Sequence, residues 1–141
     1  MSSLNSSESV VYGCIKDVTY DDVAEHRQVN RQAMLDLPAA ETWSLVNREM
    51  FSIPDAVAVD ASLHTEVVHF GASYQAVEHE WKYWLEQFEQ LLRKMYWVSA
   101  TVHLETEMSG VHAFVFETHG EAHEPDGSDI QIRCEWVKDA G

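Results

Sequence analysis

The chain has 141 residues, and its 24 acidic against nine basic side chains give a formal charge of -15. That charge opposes binding to phosphate backbones and anionic lipid and favours a basic partner. The length suits one domain that buries its core without disulfide or metal staples, and 45% apolar content with five each of Trp, Tyr and Phe excludes an intrinsically disordered chain.

Residues 1–8 form a small polar lead, expected to be disordered, and a single domain is expected over residues 9–141. The lead lacks the basic and apolar regions of a signal peptide. No run reaches the roughly 20 apolar residues of a membrane span, so a cytoplasmic protein is expected. Residues 10–16 are β-branched and aromatic and read as a strand. Thr19 to Asp22 has capping-box spacing with Asp in the last place, and Asp21, Asp22 and Glu25 suit a helix N-terminus; a helix is predicted over 20–36. His26, Arg27 and Asn30 interrupt its apolar stripe of Val23, Ala33, Met34 and Leu37. Pro38 suits the start of a second helix over 39–51, in which Trp43, Val46 and Met50 have helical spacing and Pro54 is the stop. The two helices would form an angled pair.

Residues 55–62 are a connection in which Val57 and Val59 would make a short strand. Residues 63–70 read as a clearer strand, broken by Gly71 and Ser73 before the longest helix, predicted over 74–95. Its stripe of Val77, Trp81, Trp84, Leu85, Phe88, Leu91, Leu92 and Met95 is the strongest periodic signal in the chain, with Glu78–Lys82 and Glu89–Arg93 as i,i+4 pairs on the other side. From Tyr96 to Lys138 two strands close a hairpin at Ser109–Gly110 and a third returns at Ile130. The predicted fold is α+β: two layers, a mostly antiparallel sheet of about four or five strands with about three helices packed on one face.

The pleat of that last stretch sorts its side chains. Val98, Ala100, Val102, Leu104, Val111, Ala113, Val115, Ile130, Ile132, Cys134 and Trp136 are assigned to the core face. The opposite face collects His103, Glu105, Glu107, His112, Phe114, Phe116, Arg133 and Glu135, with His112 directly across from Glu107. Phe114 and Phe116 would be exposed there unless a loop, the N-terminal strand or a second subunit covers them. The first functional expectation is therefore an acidic binding protein, of the inhibitor or immunity kind, that engages a basic protein partner or a second copy of itself. Its surface would be Glu105, Glu107, Phe114, Phe116, Arg133 and Glu135. The alternative is a small metal-dependent or acid/base enzyme in which His103, Glu105, Glu107 and His112 hold zinc or another divalent ion; the binding reading needs no cofactor.

Other polar residues carry blander expectations. His64 and Glu66 share a strand face and read as structural; His119 and His123 flank Gly120 ahead of Pro125, which predicts a mobile surface loop; Arg27 and Arg31, one turn apart, are expected to pair with the protein's own acids. Cys14 and Cys134 belong to no CxxC or Cys/His cluster, which predicts two buried free thiols. There is no HExxH, GxGxxG, P-loop or GxSxG motif, so zincin, dinucleotide, P-loop and α/β-hydrolase chemistry lose weight.

Overall fold

The computed structural model describes residues 8–16, 23–39, 45–53, 67–107, 110–120, 122–125, 127 and 130–138. Residues 1–7 of the polar lead expected over 1–8, the capping sequence at Thr19 to Asp22, Trp43, the connection 55–62, and His64 and Glu66 lie outside the described residues, while Glu8 is the first residue of a strand.

The elements are β1 (Glu8–Lys16), α1 (Val23–Leu35), β2 (Val67–Gln75), α2 (Trp81–Arg93), β3 (Ser99–Thr106), β4 (Gly110–Glu117) and β5 (Gln131–Lys138). The strands make one sheet in the order β2-β1-β3-β4-β5, every neighbouring pair antiparallel. The fold is α+β, with two α-helices among the described residues rather than three. Among the described residues no helix is long and apolar enough to cross a membrane.

Of the helix predicted over 39–51, residues 40–44 lie outside the described residues, and the described part from Leu45 to Phe51 is irregular apart from a single 3-10 turn, Arg48–Met50, continuing as a strap to Ile53. The backbone groups of this strap find tertiary partners instead of helical ones. Val46 N–H donates to Gln87 Oε1 (3.0 Å), Ser52 N–H donates to the His69 carbonyl (2.8 Å), and the Leu45 carbonyl accepts from the Tyr74 hydroxyl (2.6 Å). Val46 and Met50 are buried all the same, so the apolar spacing was meaningful while the helical period was not.

Two further boundaries move. β2 runs straight through Gly71 and Ser73 to Gln75, and the reversal comes at Ala76, which is left-handed at φ 53°. A 3-10 turn, Val77–Glu80, then leads into α2, so the helix begins seven residues later than its stripe suggests (Trp81 against Tyr74). The stripe itself is real: Val77, Trp84, Phe88, Leu91, Leu92 and Met95 are all buried. Trp84 stacks on Trp81 and Phe88, Phe88 meets Phe116 edge-on at 5.2 Å, and Phe51 and Phe70 close the aromatic cluster. The i,i+4 pair Glu89–Arg93 forms at 2.8 Å.

In α1, the residues read as interruptions are the contact stripe. Arg27 and Asn30 are buried beside Ala33 and Met34. Asn30 pairs its amide with the backbone of Tyr96, donating to the carbonyl at 2.8 Å and accepting from the N–H at 2.7 Å, while the His26 ring stacks on the Tyr96 ring at 3.8 Å. Asn30 can be buried because its amide donor and acceptor are met in this way.

The indole Nε1–H of Trp84 donates to the Tyr74 hydroxyl at 3.0 Å, and that hydroxyl donates onward to the Leu45 carbonyl. Burial raises the Tyr74 phenol above its ordinary 10.0, with the Trp84 hydrogen bond acting against the shift. A phenol whose folded value is raised contributes stability that is complete below the unfolded value and is lost as pH rises through the folded one. The wild type is thus expected to lose stability above pH 10 more steeply than Tyr74→Phe. At neutral pH the variant should cost about 1–3 kcal/mol by leaving the indole N–H and the Leu45 carbonyl unpaired. Urea titrations of both proteins across alkaline pH check the two statements together.

Candidate functional site

The β3–β4 register decides where the candidate residues go. Gly110 is left-handed at φ 80° and is the first residue of β4, paired with Thr106. That pairing differs from the register set by the two-residue turn expected at Ser109–Gly110, which would pair Met108 with Val111. The partner of His112 is Leu104, not Glu107, and the offset reverses the faces of β4.

Several assignments are corrected as a result. Phe114 and Phe116 pair with Val102 and Ala100 and lie on the helix side, Phe114 against Trp81 at 5.2 Å and Phe116 fully buried against Phe88. They are covered by α2 and form no part of an exposed surface. His112 lies on that side too, while Val111, Ala113 and Val115 turn outward, opposite Glu105, His103 and Thr101. Apolar residues occupy both parities of β4, so period alone could not choose, and the strand buries its two rings because they remove the most apolar area from water.

β3 carries its side chains as expected, whereas on β5 Ile132 and Cys134, assigned to the core, are exposed although they lie on the helix side. Ala100, Val102 and Leu104 are buried, while His103 and Glu105 face outward with Arg133 and Glu135. Glu107 is exposed, one residue beyond the end of β3. The four ligands of the metal alternative are thereby divided between two faces, and among the described residues no group of three or more His, Cys, Asp or Glu is placed to hold an ion. Cys134 and Cys14 are free thiols, but Cys134 is exposed and Cys14 only half-buried.

His123 is not a surface-loop residue. It is fully buried, stacks on Trp97 at 5.1 Å, exchanges both backbone hydrogen bonds with Trp97, and sets its ring nitrogens against the Met95 carbonyl (2.9 Å) and the Gly127 carbonyl (3.4 Å). It pins the loop before β5. His119 is exposed, within 3.0 Å of the Gln131 amide.

The outward face is organised in rows. Reading across the sheet at its middle, the register aligns Gly71, Tyr12, His103, Ala113 and Glu135. At about 4.8 Å per strand, Tyr12 to Glu135 spans about 14 Å. The Tyr12 and His103 rings stack in parallel, 5.0 Å apart at 6°. Small residues flank them: Gly71 beside Tyr12, and Ala113 between His103 and Glu135. Glu105 is one row away, opposite Val10, and its carboxylate raises the Tyr12 phenol above 10.0 together with burial, the larger cause. His103 Nδ1 is buried and has no hydrogen-bond partner. At the far side Arg133 bonds Glu117 at 2.9 Å and also pairs with Glu135.

Tyr12 is the site residue that sequence reasoning missed. Its strand is apolar on both parities, so no face could be assigned from the pattern, and only pairing with β3 puts it beside His103. Chemically, the face presents an aromatic pair with an exposed carboxylate beside it, an arrangement that receives a cation through the ring face and the carboxylate at once. None of its outward residues belongs to the hydrophobic core cluster, which holds both helices against the other face. Comparison with family models, with curated proteins and with solved structures finds no match for this chain.

Proposed function

We propose that this chain is a small acidic binding protein that engages a basic protein partner through the outward sheet face, in the manner of an inhibitor or immunity protein against a nuclease-like toxin. The observation that carries the reading is the Tyr12–His103 stack with Glu105 beside it, on a face that no helix among the described residues covers, in a protein of charge -15. Long-range attraction would speed the encounter, and a partner lysine or arginine set over Tyr12 and against Glu105 would supply the anchor. Arg133 and Glu135, already paired with each other, belong to the rim. Glu107, exposed past β3, adds charge without contact geometry of its own. A cytoplasmic setting is part of the proposal and suits two free thiols.

Native capture from the source cell, followed by titration with the purified partner, tests it. The expected partner is basic and its affinity falls as salt rises. Tyr12→Ala should weaken binding about tenfold or more, as loss of a central anchor does. Glu105→Lys should do the same and flatten the salt dependence. A partner bound equally well by both variants would remove the outward face from the mechanism.

A further inference from the structure

We infer that β5 is a self-complementary edge through which two copies of this chain pair antiparallel, joining their five-stranded sheets into one continuous sheet across a two-fold axis at Cys134. The two edges of the sheet are not equivalent. At β2, Phe51 bridges Phe70 and Ser52 donates to the His69 carbonyl, so the strap protects that edge. At β5, among the described residues, no backbone hydrogen bond reaches the outer side. An edge strand left this way is a template for another strand.

The helix layer also stops short of it. Ile132 and Cys134 pair with Phe116 and Phe114 and so lie on the helix side, yet Ile132 is 42% exposed and Cys134 is exposed, where Phe116 one strand inward is fully buried. The strand thus presents apolar atoms on the side that its own helices leave open.

The charge order names the occupant. Around Cys134 the strand reads Ile132-Arg133-Cys134-Glu135-Trp136. In an antiparallel pair centred on Cys134, Arg133 of each copy stands opposite Glu135 of the other, Ile132 stands opposite Trp136, and the two Cys134 residues face each other. Centring on Arg133 or on Glu135 would set like charges opposite one another, which is unfavourable. One register satisfies both charges, and a basic partner would not reproduce the symmetry. The seam shares Arg133 and Glu135 with the rim of that face but neither Tyr12 nor Glu105, so the Tyr12 and Glu105 variants should leave the dimer intact and separate the two readings. Because each copy carries -15, long-range repulsion opposes the pairing, and added salt should strengthen it, the reverse of its effect on a basic partner.

Sedimentation of the full chain over a range of concentration and salt tests this. A dimer that tightens with salt is expected. Arg133→Glu and Glu135→Arg should each weaken it about tenfold, since each turns two attractive cross-strand pairs repulsive, and the double variant, which restores every pair with the signs exchanged, should recover it. A merely structural role of Arg133 through Glu117 would not be rescued in this way. Copper–phenanthroline oxidation should link Cys134 to Cys134, because directly opposed residues lie within disulfide reach, whereas Cys134→Ser should stay unlinked although Cys14 is present. A monomer at every concentration and salt, or a double variant no better than the singles, would overturn the inference.

Discussion

Trp84→Ala is expected to remove about 3–5 kcal/mol of stability, a large share of the roughly 5–15 kcal/mol that separates a folded domain from its unfolded chain. The side chain is fully buried and lies within 5.1 Å of Phe88, within 4.9 Å of Trp81 and within 6.4 Å of Phe70, ring centre to ring centre. Truncation opens a cavity between α2 and the sheet that these rings can refill only by leaving their own contacts. It also deletes the indole N–H that the Tyr74 hydroxyl accepts. Trp84→Phe retains much of the volume and loses that hydrogen bond, so it should cost less than half as much. Urea midpoints for the three proteins, read at constant slope, check the order. Equal losses for Phe and Ala would mean that the hydrogen bond, and not the packing, is what Trp84 supplies.

Gly13→Ala should be nearly as damaging, about 3 kcal/mol or more, the upper range for over-packing. In most strands this exchange is favourable, since glycine gives up more conformational freedom on folding. Here β1 is flanked on both sides, and Gly13 pairs with Phe70 in β2 and Val102 in β3. A methyl group at this position would run into the Thr101 carbonyl oxygen and approach Phe70 Cζ to 2.9 Å and the Thr101 carbonyl carbon to 3.0 Å. Two of those atoms are backbone, so relief requires β1 and β3 to separate. Gly71 is the control: its methyl would meet Val11 O at 3.6 Å and Tyr12 Cβ at 3.7 Å, which is ordinary contact, and Gly71→Ala should change the thermal midpoint little. Similar losses at both positions would show that the clash is not the cause.

The candidate site was half legible. Glu105, Arg133 and Glu135 could be placed outward because β3 alternates cleanly and β5 follows it in phase. Phe114 and Phe116 could not, because β4 offers the core a valine-alanine-valine parity and a histidine-phenylalanine-phenylalanine parity, and both are plausible fillings. The pairing of Thr106 with Gly110 and the preference for burying the larger rings settled the matter, and they act only once β3, β4 and α2 are together. Tyr12 was hidden for the same reason, with Val10, Tyr12 and Cys14 on one parity of β1 and Val11 and Ile15 on the other. The strap 45–53 misled in a different way: a spacing of three and four residues also serves an irregular segment whose backbone hydrogen bonds are met by Gln87, Tyr74 and His69.

The amino-acid order by itself determined the acidic balance, the α2 stripe, the class of fold and the existence of the β3–β4 hairpin, because these depend on composition or on periods within one segment. Only the tertiary structure decided which face of β4 is buried, that Tyr12 stands beside His103, and that β5 is the last strand of the sheet among the described residues. Those facts rest on register between strands distant in the chain, and register is chosen by the burial of whole faces, a quantity no single segment contains.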